Sequence, residues 1–188
     1  MMKVITGTLK GREIRFKPVP GVRPTADKIR KAMVDTLRPK LPEARVLDLF
    51  AGSGAIGFEA LSNGAASVLF VEQDRARSRA ISETAAAMGQ TDACTVEEED
   101  AFKAVERLSA EGRVYDLIFA DPPYRSGGAA GIVTALASAK LLAPEGILVV
   151  ECAYEEKVPS PDEGDGPLRV LRTREYGGSK VVYLACRD

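Results

Sequence analysis

Histidine is absent from the 188-residue chain. Its absence removes Ser-His-Asp and Cys-His catalysis along with the commonest metal ligand, so any chemistry here proceeds without an imidazole base. Cysteine is scarce. Cys94, Cys152 and Cys186 are odd in number and form no CxxC, so they suggest neither a disulfide framework nor a zinc site. They read as small buried hydrophobes in strands, and no metal is expected. No apolar run approaches the roughly 20 residues that a membrane span needs. The opening Met1-Met2-Lys3-Val4-Ile5-Thr6-Gly7 lacks the apolar core of a signal peptide. The expectation is a soluble cytoplasmic protein with no membrane partner, and a monomer by default.

Charge is nearly balanced overall, with a net −1 that by itself argues against a nucleic-acid partner. Its distribution argues the other way. Residues 1–40 hold eleven Lys/Arg against three acids, a balance of +8, which leaves −9 on the remainder. A basic N-terminal segment on an acidic body suits a phosphate-binding extension, with Lys10, Arg12 and Arg15 as its candidate contacts. The plainer alternative is a solvated basic face.

The length suits one globular α/β domain. Residues 3–8 and 12–17 are strand-like around Lys10-Gly11 and predict a β-hairpin. A loop follows over Val19–Pro24. Thr25 or Asp27 then caps a helix that runs to about Leu37, where Arg38-Pro39 stops it. From there strands and helices alternate. Strands are expected at Val46–Phe50, Ser67–Val71, Ala93–Glu97, Val114–Ala120 and Gly146–Glu151. Helices are expected up to about Asn63 and over about 75–88, 101–110 and 129–139. Alternation of this kind means a parallel sheet covered on both faces, whose strands are continuously apolar, as Leu117-Ile118-Phe119 and Ile147-Leu148-Val149-Val150 are. Residues 155–167 are polar and rich in Pro and Gly, and read as an exposed mobile loop. Two last strands, about 168–175 and 180–186, close a hairpin through Tyr176-Gly177-Gly178. The expected organisation is a basic β-hairpin extension over residues 1–22 and a main domain over 23–188.

Asp48-Leu49-Phe50-Ala51-Gly52-Ser53-Gly54 ends the first parallel strand and enters a helix. Glycine lets the backbone turn tightly, and the helix start presents free N–H groups, so a nucleotide-like ligand belongs at this strand end. The run Gly52-Ser53-Gly54-Ala55-Ile56-Gly57 also satisfies the dinucleotide pattern GxGxxG. Context separates the two readings. Asp48 would repel a pyrophosphate, whereas it suits the cationic α-amino group of S-adenosyl-L-methionine. Glu72, followed by Gln73, ends the second strand and can accept from both ribose hydroxyls, although a nicotinamide enzyme would use an acid there too. Asp100 and the Ala101 N–H are placed for adenine, and Asp100 is equally suited to cap the next helix.

Asp121-Pro122-Pro123-Tyr124 follows the fourth strand. A [D/N]PP[Y/F] tetrapeptide at this place is the signature of methyltransferases acting on planar amines. The exocyclic amine of a base is a poor nucleophile because its lone pair is delocalised into the ring. Hydrogen bonds from its N–H groups to the Asp121 carboxylate and to a backbone carbonyl, that of Pro122, favour a pyramidal nitrogen. The prolines fix that carbonyl, and Tyr124 can stack on a base drawn out of its helix. Glutamine-side-chain and adenine-N6 enzymes use similar motifs, so the tetrapeptide specifies a planar amine and leaves the target open.

With these residues in place, the chain resembles the RsmD family of bacterial 16S rRNA guanine-N2 methyltransferases along nearly its whole length. The resemblance includes Val22-Arg23-Pro24-Thr25-Ala26-Asp27-Lys28-Ile29-Arg30, the run from Asp48 through Ser62, Val71-Glu72-Gln73-Asp74, Asp121-Pro122-Pro123-Tyr124 and Tyr176-Gly177-Gly178-Ser179. It implies a class I, Rossmann-like methyltransferase fold, with a mostly parallel seven-stranded sheet, a C-terminal antiparallel hairpin and the N-terminal hairpin. It implies that Asp121 and Tyr124 handle the guanine and that Thr25 lies near the methionine end of the cofactor. It further implies a substrate that is 16S rRNA within the small ribosomal subunit or an assembly intermediate. Arg23 and Arg30 join the candidate RNA contacts, with helix capping or surface charge as the alternative. Two other functions remain to be weighed: an adenine-N6 DNA or RNA methyltransferase, and an RNA-binding assembly factor without turnover. Intact Asp48, Glu72 and Asp121 argue against the latter.

Overall fold

The computed structural model describes residues 2–16, 26–123, 128–156, 158 and 166–187. The expected loop at Val19–Pro24, the candidate residues Arg23, Thr25 and Tyr124, and most of the polar 155–167 stretch lie outside them. Chain contacts separate two compact units, Met1–Asp100 and Ala101–Asp188. The expected boundary at 22/23 falls among residues outside the described set, and the N-terminal hairpin is part of the first unit.

The first unit contains β1 (Met2–Lys3), β2 (Glu13–Ile14), α1 (Asp27–Leu37), β3 (Arg45–Leu49), α2 (Ala55–Ser62), β4 (Ser67–Val71), α3 (Arg75–Met88) and β5 (Cys94–Glu97). Strands β3, β4 and β5 pair in parallel, with Asp48 level with Phe70 and Leu49 with Val71. Their interior residues are apolar on both sides: Val46, Leu47, Leu49, Val68, Phe70 and Val71 are all buried, as strands covered by helices require. Phe58 of α2 meets Phe70 of β4 with ring centroids 5.1 Å apart. Helix α3 begins where Asp74 caps it, accepting from the Arg77 N–H at 2.9 Å. It ends at Gly89, which takes the left-handed conformation.

Two expectations for this unit need correction. The hairpin strands are only two residues each, paired Met2 to Ile14 and Lys3 to Glu13. Residues 5–9 do not pair across the hairpin because α2 takes their backbone donors. Ile5 and Thr6 N–H donate to the Glu59 carboxylate at 2.7 and 3.1 Å. Thr8 N–H donates to the Ser62 carbonyl at 2.7 Å, and Leu9 N–H to the Ser62 hydroxyl at 2.8 Å. Gly7, at φ +75°, lies so close to α2 that a Cβ there would fall 1.8 Å from the Ser62 carbonyl oxygen. The second correction concerns the start of α1. Its N-cap is Ala26, which makes no side-chain cap, and Asp27 is the first helical residue. The Asp27 carboxylate faces along the helix to Arg30, 3.0 Å away.

The second unit contains α4 (Ala101–Ala110), β6 (Tyr115–Ala120), α5 (Gly128–Ala139), β7 (Leu142–Ala153), β8 (Leu168–Tyr176) and β9 (Ser179–Cys186). Strand β7 runs parallel to β6 and antiparallel to β9, and β9 pairs antiparallel with β8. β7 starts four residues earlier than the sequence predicts. Leu142 pairs with Tyr115, after which the register shifts before Ile147 meets Leu117, so the Pro144-Glu145-Gly146 stretch, which reads as a turn, is accommodated as an irregularity within the strand. The seven longer strands are mostly parallel, ordered β5-β4-β3 in the first unit and β6-β7-β9-β8 in the second, with the C-terminal hairpin supplying the antiparallel pairings. Among the described residues no helix is long and apolar enough to cross a membrane.

Candidate functional site

In the first unit the carboxyl ends of β3 and β4 carry two buried acids, Asp48 and Glu72, 5% and 4% exposed. Between them the chain leaves β3 through a strained turn. Phe50 sits at φ +59°, a region costly for a bulky side chain and one that persists where the surroundings force it. Gly52 and Gly54 follow at +58° and +72°, where their lack of Cβ removes that cost. Ala51 N–H bonds back to the Val71 carbonyl at 3.0 Å, and Gly54 N–H closes the turn on Ala51 O at 2.7 Å. Gly54 is also the N-cap of α2, so the turn delivers the helix start to the end of the sheet. Ala51, Gly52 and Ser53 are half-buried.

Both carboxylates hold this turn in shape. Asp48 Oδ2 accepts from Gly57 N–H of α2 at 3.1 Å. Glu72 Oε2 accepts from Gly52 N–H at 2.8 Å, and its Oε1 from Asp74 N–H at 2.9 Å. Each carboxylate oxygen has a second lone pair, so Glu72 can organise the loops and still accept from ligand hydroxyls. Arg77 stands 3.6 Å from Glu72 Oε2. Sequence reasoning missed Arg77; the signal was its place in the first turn of the helix that Asp74 caps. Gln73 is exposed, and Asp100 is half-buried at the end of the unit, directly before Ala101 opens α4. A turn flanked by two buried acids is the wrong surroundings for a pyrophosphate and the right ones for an ammonium or sulfonium group beside ribose hydroxyls. The two buried carboxylates therefore fit a cationic, hydroxyl-bearing ligand such as S-adenosylmethionine.

In the second unit Asp121-Pro122-Pro123 leaves the end of β6. Asp121 is half-buried, Pro122 buried and Pro123 exposed. The chain re-enters α5 at Gly128, where a Cβ would lie 3.2 Å from both the Pro122 side chain and the Pro123 carbonyl oxygen. Ala129 N–H, in the first turn of α5, donates to Glu156 at 2.9 Å. Beside this segment lies Cys152 of β7. Burial pushes its thiol up to about 11; Lys180 opposes the shift, and the carboxylates of Glu156, Glu151 and Asp121 add to it. Glu151 and Glu156 were not singled out in the sequence. The available signal was that Glu151 stands at the end of the fifth apolar run, as Glu72 stands at the end of the second. Burial likewise pushes the Cys94 thiol up to about 12.

The expected RNA contacts divide. Lys10, Arg12 and Arg15 are exposed. Arg12 donates to the Ala87 carbonyl near the end of α3, and Arg15 pairs with Glu83 at 3.3 Å. Arg30 is a correction. Its side chain is fully buried, 3.3 Å from the equally buried Glu59 carboxylate, and it donates to the Lys3 carbonyl at 2.8 Å. A guanidinium withdrawn from solvent in this way holds the N-terminal segment to α1 and α2 and cannot reach an RNA phosphate. Among the described residues no cluster of His, Cys, Asp or Glu could hold a metal ion.

Comparison with known proteins identifies the family. The model of the family described as "Conserved hypothetical protein 95" matches residues 2–185. The Escherichia coli K12 ribosomal RNA small subunit methyltransferase D is 34% identical over 159 residues, 85% of this chain and 78% of that one. YlbH of Bacillus subtilis, provisionally named an rRNA methyltransferase, is 31% identical over 96% of this chain and 97% of its own. Among solved structures, E. coli yhhF, provisionally described as a methyltransferase, superposes with a TM-score of 0.83 at 31% identity, covering 99% of this chain and 98% of that one. A more distant protein, provisionally described as a methyltransferase and solved with S-adenosylhomocysteine, shares the fold at 15% identity, with a TM-score of 0.66 over 80% of this chain and 48% of that one. A strained acidic turn after β3, an Asp-Pro-Pro exit from β6 and matches along almost the whole length together place the chain in the RsmD family of small-subunit rRNA methyltransferases.

Proposed function

We propose that the protein transfers the methyl group of S-adenosylmethionine to the exocyclic N2 amine of a guanine in 16S rRNA. The substrate we assign is the rRNA within the small ribosomal subunit or an assembly intermediate. The observation that carries this reading is the half-buried Asp121 and buried Pro122 leaving β6, in a chain of this family. Bound at the acidic turn, S-adenosylmethionine supplies an electrophilic methyl group with a neutral thioether as its leaving group. Asp48 attracts the ligand's ammonium group, and Glu72 accepts from its ribose. Asp100 and Ala101 N–H serve the adenine. The Asp121 carboxylate and the Pro122 carbonyl accept hydrogen bonds from the two N–H groups of the guanine amine and favour a pyramidal nitrogen, whose lone pair is no longer delocalised into the ring. Tyr124 supplies a stacking face. Transfer then depends largely on positioning. The proton leaves after the methyl group arrives, which suits a chain without histidine. Lys10, Arg12 and Arg15 supply phosphate contacts.

The test is transfer of labelled methyl from S-adenosylmethionine to small subunits taken from a strain lacking this protein, to free 16S rRNA and to DNA, followed by nucleoside analysis. N2-methylguanosine on subunits is the expected product. N6-methyladenine would replace the guanine target with adenine. No label, with cofactor binding intact, would remove the substrate assignment.

A further inference from the structure

The C-terminal hairpin concentrates positive charge where the sequence as a whole does not. Residues 168–187 hold five Lys/Arg against one acid, a balance of +4, while the rest of the second unit carries −6. Strand β8 is the sheet's edge, paired on one side only with β9, and residues 171–175 are all exposed. Its register sets the direction of each side chain. Arg169 lies opposite Ala185, Arg172 opposite Tyr183 and Arg174 opposite Val181. Those three β9 positions alternate along the strand and so share one face, which places the three arginines on that same face. Simple alternation from Arg169 would not do this; it would give that face to Leu171 and Thr173. The register shift between Val170 and Arg172 leaves Leu171 as an extra residue and resets the alternation, so a β-bulge aims the arginines together. No ion pair joins any of the three to a carboxylate among the described residues.

We propose that this arginine face of β8 is a second phosphate-binding surface for the rRNA, separate from the N-terminal basic segment. Guanidinium groups favour phosphate through bidentate, charge-assisted hydrogen bonds. Arg172 and Arg174 stand about 7 Å apart along the strand and can each take a different phosphate. A charged edge strand also discourages edge-to-edge pairing, but a single inward charge serves that purpose, and the bulge is not needed for it. A second copy of this chain is disfavoured as the occupant, because antiparallel β8–β8 pairing would set arginine against arginine on one face. The inference deepens the rRNA reading and rests on it.

The test compares the full-length protein with Arg172→Gln/Arg174→Gln, with Arg172→Lys/Arg174→Lys and with Glu175→Gln, which removes an acid from the opposite face. Binding to a 16S rRNA fragment is measured by fluorescence anisotropy across a salt series, and methylation of vacant small subunits is measured in parallel. The double Gln variant is expected to bind RNA about tenfold more weakly at moderate salt, with a salt slope shallower by about 1.4 if two single-stranded phosphate contacts are lost. Its KM for subunits should rise with kcat unchanged. The Lys pair should recover most of the binding, and Glu175→Gln should change little. Unchanged RNA affinity and slope in the Gln variant, while wild type methylates subunits, would overturn the β8 surface and leave the function standing. Wild type that binds no rRNA would overturn both. Weakened binding to subunits but not to naked rRNA would overturn the phosphate assignment in favour of an acidic ribosomal protein.

Discussion

At the scale of single residues, the proposed chemistry rests on a few carboxylates whose surroundings differ. Asp48 and Glu72 are buried and hold backbone N–H groups, so replacing either disturbs the fold as well as any ligand role. Asp121 is half-buried and is the better place to separate function from folding. Asp121→Ala is expected to lower kcat by at least a hundredfold, the scale of removing one group that stabilises the transition state, with cofactor affinity in calorimetry nearly unchanged. Turnover at the wild-type rate would remove Asp121 from the reaction. Tyr124→Ala is expected to impair transfer far more than Tyr124→Phe, because stacking uses the ring; equal losses in a steady-state assay would instead point to the hydroxyl. Cys152 offers a readout of burial without activity. With its thiol pushed up to about 11, only about one molecule in a thousand carries thiolate at pH 8. Iodoacetamide followed by intact-mass analysis should leave Cys152 unmodified in the native protein and alkylate it in guanidinium chloride. Equal rates in the two states would contradict its placement in β7.

At the scale of elements, the N-terminal segment is held by side chains rather than by its own strands. Glu59 gathers the Ile5 and Thr6 amides and the Thr6 hydroxyl, and its charge is balanced by Arg30. Both side chains are fully buried, so removing one partner strands a charge in the interior. Such losses cost about 3–5 kcal/mol. Arg30→Ala is therefore expected to lower the urea midpoint sharply. Arg30→Met with Glu59→Gln, which removes both charges, should recover part of the loss. If Arg30→Ala unfolds at the wild-type midpoint, the clamp contributes nothing. The parallel elements were legible because their apolar runs and alternation agree: β4 and α3 lie where the pattern of the chain places them. The hairpin was less legible, since alternation in residues 3–8 cannot reveal that α2 will take their amides. Arg30 was misread for a related reason. A basic residue in a basic segment looks solvated until its acid partner, 29 positions away, folds against it.

For the whole molecule, a net charge of −1 conceals opposed patches. If the exposed Lys10, Arg12 and Arg15 contact rRNA, neutralising all three should flatten the salt dependence of RNA binding by roughly 2 in slope, at about 0.7 per single-strand phosphate contact. An unchanged slope would move the contact elsewhere. Little stability should be lost in that variant, because the Arg15–Glu83 pair is largely exposed and exposed pairs contribute about 1 kcal/mol or less.

The sequence by itself determined the order of strands and helices, the acidic glycine turn, the Asp-Pro-Pro segment and the family, because each depends on residues close together in the chain. Tertiary structure decided what depends on distant partners. It buried Arg30 against Glu59, set Glu72 across the turn onto Gly52, and used one extra residue in β8 to turn three arginines to the same face. Local pattern fixes which conformations a segment favours. Only packing fixes which groups leave water, and a charge is read correctly only once its burial and its partner are known.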